Sequence, residues 1–131
     1  MIHKNLNTIS NHPVTVPGAE RVHMQLLCGP DDGCPNFAMR RFSVAPGGST
    51  PKHQHPYEHE VLILAGEGIV FGNGREQPLN TGDVLFVPAN ELHQFRNTGT
   101  VPLQFICLVP AFVHKSPAAG GPQVQAVDCA K

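Results

Sequence analysis

Breaks come about every ten residues in this chain, and they cut its apolar residues into short runs that read as β-strands. Val22, Met24 and Leu26 alternate with His23 and Gln25, the period-2 pattern of a strand with one buried face. Over residues 37–44 the alternation puts Ala38, Arg40, Phe42 and Val44 on one face, and Pro46-Gly47-Gly48 is expected to end the run. His59-Glu60-Val61-Leu62-Ile63-Leu64 stops at Ala65-Gly66-Glu67-Gly68, and Ile69-Val70-Phe71 then meets Asn73-Gly74, the favoured pair for a two-residue hairpin turn. Gly82-Asp83 leads into residues 84–87, which Pro88 stops, and residues 92–96 and 103–109 complete the series. With 13 glycines and 13 prolines in 131 residues, and few helix-favouring runs, the fold class is all-β, a sandwich or a barrel.

The length suits one compact domain, and 40% hydrophobic residues supply a core without disulfide or metal staples. Residues 1–20 read as a polar N-terminal arm, broken by Pro13 and Pro17, with at most one short strand around 14–16. Residues 21–113 form the barrel. Residues 114–131, rich in Ala, Gly and Pro, form a C-terminal tail with room for a last strand at 124–127. A net charge of −1 gives no pull toward nucleic acid or an anionic membrane. No apolar stretch is long enough to span a bilayer, and the first seven residues lack the apolar core of a signal peptide, so the cytoplasm is the expected address. Cys28, Cys34, Cys107 and Cys129 form no CxxC pair, and a reducing compartment favours free thiols. Cys28 and Cys34 flank the turn at 29–33 and could bridge on oxidation.

The chain has eight histidines, and four of them stand where a metal site needs them. His53 and His55 are two apart, so an extended backbone projects both rings from one face. His59 heads the next apolar strand, and His93 follows a strand and the Pro88-Ala89-Asn90-Glu91 turn. Neutral imidazole is a good donor for first-row transition metals and a poor one for calcium or magnesium. A His-x-His pair alone is a weak signal. The frame Gly47-x5-His53-x-His55-x3-His59-x6-Gly66, followed by Gly82-x5-Pro88-x-Asn90-x2-His93-x3-Asn97, is stronger.

These two frames resemble the two cupin motifs in the right order. Asn90 stands at the usual middle glycine, a mild departure, because Asn tolerates the left-handed backbone such a turn needs. Cys34-Pro35-Asn36-Phe37-Ala38-Met39-Arg40-Arg41-Phe42 and His53-Gln54-His55-Pro56-Tyr57-Glu58-His59-Glu60-Val61 are similar to a subgroup of small manganese-binding cupins, over about residues 22–110. The resemblance implies a single-domain cupin barrel (a double-stranded β-helix, or jelly-roll) that pairs as a homodimer. It also implies one divalent transition-metal ion per chain on His53, His55, His59 and His93, with two adjacent coordination positions open. Manganese is the ion implied; iron, nickel, copper and zinc also suit the donors.

Most cupins place Glu at the third ligand position, and the motif tolerates three or four intervening residues, so Glu60 competes with His59. One step along a strand reverses a side chain's face, so a regular strand turns only one of them inward. The six-residue interval to Gly66 and the pairing of His with Glu in the subgroup favour His59. Four neutral imidazoles leave the ion's charge uncompensated and favour anionic added ligands.

The expected function is a metal-dependent oxidoreductase, dioxygenase-like, acting on a small organic molecule. The alternatives are non-redox isomerase or lyase chemistry and a small-molecule binding module without turnover; one scaffold hosts many functions. Phe42, Phe105 and Cys107 either line the cavity around the metal or belong to ordinary core. Arg40, a cation among apolar neighbours, needs a partner: an anionic substrate to orient, or Glu58 or Glu60 at the rim. Tyr57 packs over the turn, and His3, His12, His23 and His114 read as surface or tail residues. The alternating segment at 22–26 and the arm before it look like edge strands, which suits a homodimer.

Overall fold

One long strand organises this molecule, because it takes part in both halves of the sheet. The computed structural model describes residues 1–114, and among them are nine strands: β1 (His12–Pro13), β2 (Glu20–Cys28), β3 (Phe37–Ser49), β4 (His59–Ala65), β5 (Gly68–Gly72), β6 (Arg75–Leu79), β7 (Val84–Val87), β8 (Gln94–Arg96) and β9 (Leu103–Pro110). They form one curled sheet in the order β6-β5-β8-β3-β9-β4-β7, with β2 and β1 added beside β3. Residues 37–44 of β3 pair with β9, whereas Ser49 pairs with Arg96 of β8. The chain therefore rolls up as an all-β, single-domain barrel of the expected jelly-roll type. No helix of the described residues is long and apolar enough to cross a membrane.

Pro46-Gly47-Gly48 does not end β3, as the sequence leads one to expect; it turns the strand's corner instead. Gly47 takes φ +80°, and a Cβ on Gly48 would stand 2.5 Å from the Glu20 carbonyl oxygen. The glycines there bend a continuous strand and let β2 approach. Asn73 and Gly74 both have positive φ, as a type I′ hairpin requires, and Gly72 pairs with Arg75 across the turn. The strand after that turn, β6, is polar and exposed except at Leu79, so only its turn announces it in the sequence.

Alternation along β3, β4 and β9 points Phe42, Val44, Val61, Ile63, Leu103 and Phe105 into one core. Phe42 stacks on Phe105 at 5.3 Å between ring centroids, and Phe105 on Phe95 at 4.7 Å. Each fully buried Phe contributes ~1.5–3 kcal/mol through removal of its surface from water. Buried Asn97, the last residue of the second frame, closes the loop before β9: its Nδ2 donates to the Val44 and Val101 carbonyls and its Oδ1 accepts from Gly99 N, each at 2.8 Å.

The N-terminal arm differs from expectation in detail. Its strand is His12–Pro13, not 14–16, and a 3-10 turn at Leu6–Thr8 precedes it. Gln25 Nε2 donates to the carbonyls of Leu6 and Ile9, so the arm lies across β2, the strand expected to seek a partner chain. The strand expected at 124–127 lies outside the described residues.

Candidate metal centre

Backbone pairing brings distant histidines together before any side chain is considered. His53 N donates to His93 O at 3.1 Å and His93 N to His53 O at 3.0 Å, an isolated antiparallel bridge. Asn90 has φ 68°, the left-handed turn expected of it, and its N–H donates to the His55 carbonyl at 2.7 Å. His59 is the first residue of β4, where inward and outward positions alternate, and it opposes Val87. Ring centroids of His53, His55 and His93 lie 4.9 to 5.1 Å apart, and one ring nitrogen of each falls within 4.8 Å of the others. His59 sits beside this group of three, its ring 4.3 Å from His55 and 5.2 Å from His93.

The neighbours of these rings fix their tautomers. A carbonyl oxygen only accepts, so His55 Nδ1 carries the proton it donates to Tyr57 O at 3.0 Å, and His93 Nδ1 donates to Glu91 O at 2.8 Å. In each ring the lone pair is then on Nε2. Cys107 is disulfide-bonded, against the expectation of free thiols, because spacing along the chain reveals only sequence-near pairs. Its sulfur has no proton and can only accept, so His59 Nδ1, 3.5 Å away, carries its own proton and Nε2 the lone pair. Cys28 and Cys34 are free.

A metal ion fits this donor set. His93 Nε2 is buried with no hydrogen-bond partner among the described residues. His59 Nε2 and His55 Nε2 stand 2.6 Å apart, lone pair toward lone pair, an arrangement that a shared cation relieves. Burial pushes the His59 pKa far below the usual imidazole range, with the Arg40 charge and the other histidines adding to the effect, and burial also lowers His93. Both rings are therefore neutral and ready to bind at physiological pH.

Glu60, the rival third ligand, is exposed on the outer face of β4, while His59 is fully buried. A hydrogen bond with Glu58, together with partial burial and the repulsion between the two carboxylates, raises its pKa to about 7. Arg40 is fully buried and points inward, away from Glu60; Nη1 bonds His114 Nε2 at 3.1 Å and Nη2 donates to Cys107 Sγ at 3.3 Å. His114 is consequently not a tail residue: it lies in a buried 3-10 turn, Ala111–His114, and no spacing rule announces this role. His3, His12 and His23 are exposed as expected. Tyr57 does more than cover the turn, stacking on His55 at 3.9 Å between centroids with 9° between planes. Phe42, Phe105 and Cys107 are at most 1% exposed and packed in the core.

The Cupin domain family matches residues 40–109. The oxalate-binding protein of Thermotoga maritima is 39% identical over 70 residues, which cover 53% of this chain and 58% of that protein. The tetracenomycin polyketide synthase protein TcmJ of Streptomyces glaucescens is 30% identical over 104 residues, 79% of this chain and 66% of that one. The chain thus spans less than two thirds of the length of these curated relatives. Among solved structures, the polyketide cyclase RemF from Streptomyces resistomycificus aligns with a TM-score of 0.80 at 29% identity, covering 85% of this chain and 80% of RemF.

Proposed function

The chain belongs to the cupin family, and from that premise we propose that it is a metal-dependent enzyme: His53, His55, His59 and His93 hold one divalent transition-metal ion, and the substrate is a small hydroxylated or keto organic molecule. The tautomer pattern carries this reading, since acceptors at Nδ1 turn the Nε2 lone pairs of His55, His59 and His93 toward one another. Manganese is the ion the family resemblance favours. Once bound, the ion supplies Lewis-acid polarisation of a substrate oxygen. The chain's own part is to orient the rings of His55, His59 and His93 through the Tyr57 and Glu91 carbonyls, the Cys107 sulfur and the stacked Tyr57 ring, and to place His53 by its backbone bridge to His93. Arg40 adds a fixed positive charge behind His59, which favours a substrate that becomes anionic as it reacts.

The likeness to RemF, a polyketide cyclase, supports ring closure of a keto compound without redox change as the reaction class, and TcmJ, a polyketide synthase protein, shares the polyketide context. A second reading is the dioxygenase-like oxidation expected from the sequence. It is favoured by the aromatic wall of Phe42, Phe105 and Phe95, with Phe95 6.5 Å from His93, which excludes water beside the donors. The reading also takes the protein as a homodimer, because Leu62, Val84 and Phe86 lie exposed together on the outer face of β4 and β7.

The test has two stages. Metal content of His59→Ala should fall strongly by elemental analysis while Glu60→Gln stays near one ion per chain; the reverse would hand the site to Glu60. Loaded protein is then offered 1,3-diketones and linear polyketones with and without oxygen. Oxygen-independent turnover supports the main reading, and oxygen consumption matched to product supports the second. Ligand binding without product would leave a binding module.

A further inference from the structure

Among the described residues, the sheet's two end strands, β6 and β7, do not pair with each other and leave a gap along that side of the barrel. A cleft of about 410 Å³ occupies the gap and reaches His93 at its inner end. That volume lies within the range of small-molecule sites, ~300–1,000 Å³. The floor is apolar: Val70, Leu79 and Val87 are buried at 8%, 2% and 4% exposure, with Leu85 beside them. Gln77, Asp83 and Glu91 supply polar groups to the walls, and no lysine or arginine is among the lining residues. The nearby cation, Lys52, is held over the ring of Phe71 at 3.9 Å. The interior beside Phe42 and Phe105, for which the sequence left cavity wall and ordinary core both open, is filled by the stacked Phe42, Phe105 and Phe95.

We propose that this cleft is the substrate's seat and that it takes a flat, uncharged, hydroxylated aromatic molecule in preference to a small dicarboxylate. An apolar ring suits the buried floor of Val70, Leu79 and Val87 that lies between the two unpaired strand edges. Its hydroxyls find acceptors in Asp83 and Glu91, one of whose oxygens is already used by the Asn80 N–H at Asp83. The same two carboxylates repel a dianion along the walls, where no lysine or arginine of the described residues offsets them, and an ion on His93 would attract it only at the inner end. The inference rests on the proposed function and narrows its hydroxylated or keto molecules to those that present a flat hydroxylated ring. Occupation of the cleft itself does not require the metal, so the two can fail separately.

The experiment is an NMR titration of the full ¹⁵N-labelled chain, zinc-loaded and metal-free, with 2,7-dihydroxynaphthalene and separately with oxalate, while metal content is measured independently. Saturable shifts with the diol should concentrate on the amides of residues 70–73, 77, 79 and 84–87 in both forms, and oxalate should leave those amides in place. Leu85→Trp, which fills the floor, should weaken diol binding about tenfold. Because that variant risks misfolding, Gln77→Trp on exposed β6 narrows the mouth without touching the core and should weaken binding in the same direction. Diol shifts in the cleft of a chain that retains no zinc after loading, by the separate metal analysis, would support the cleft while refuting the metal reading. Diol shifts elsewhere, equal affinity in folded Gln77→Trp and the natural chain, or oxalate binding at the same amides with equal strength would overturn the proposal.

Discussion

Lowering the pH should destabilise this protein through His114, by an amount the structure sets. Arg40 can only donate, so the His114 Nε2 that lies 3.1 Å from its Nη1 must accept, and a protonated ring could not. Burial first, and the Arg40 charge second, push the His114 pKa down from 6.5 to about 3. Below ~6.5 the unfolded chain takes up a proton at this residue and the folded chain does not, so stability falls as pH drops. Integrated from pH 7 to pH 5, this one group removes ~2 kcal/mol, and the loss levels off only below a pH of about 3. The perturbation is His114→Gln, whose side-chain oxygen still accepts from Arg40 but does not titrate. Urea denaturation of both proteins at pH 7 and pH 5, with a chelator present so that metal release does not contribute, isolates the residue. Whatever the substitution costs at pH 7, the gap between the two proteins should shrink by ~2 kcal/mol at pH 5, ~1 M in urea midpoint for a typical slope. Parallel pH dependence in the two proteins would show that folded His114 takes up its proton freely, and the reasoning from the Arg40 contact would be wrong.

Asn97→Ala removes three hydrogen bonds of one buried side chain at once and should cost ~3 kcal/mol, read as a fall in urea midpoint; a change under ~1 kcal/mol would mean the loop before β9 holds itself. Glu58→Gln should bring the Glu60 pKa down from about 7 toward 4.5 in a carboxyl-carbon NMR titration, since the shared hydrogen bond is the largest cause of the shift; an unmoved value would assign it to burial instead. Light scattering should give twice the 14.1 kDa chain mass, and Val84→Lys with Phe86→Lys on the outer face should return it to a single mass. A natural chain that stays monomeric at high concentration refutes the dimer.

Features carried by local chemistry were legible in the sequence alone. Alternation marked the inward faces of β2, β3, β4 and β9, because side chains on a strand alternate whatever the rest of the chain does. The Asn73-Gly74 hairpin and the left-handed Asn90 followed from what those residues tolerate on the backbone. The histidine spacings picked out rings that the His53–His93 bridge then draws together. The rest was decided by partners far along the chain. Whether Pro46-Gly47-Gly48 stops a strand or bends it depends on the Glu20 carbonyl passing 2.5 Å from an absent Cβ. A polar run such as β6 becomes a strand only because β5 offers its edge. His114 looks like the start of a tail until the fold sets Arg40, 74 residues earlier, against its ring. The open side between β6 and β7 belongs to no segment at all; it is the gap left when a sheet of this strand order curls without its ends meeting. Local propensity is written in a few neighbouring residues, whereas burial, tautomer and cavity arise from contacts that exist only after the chain has closed on itself.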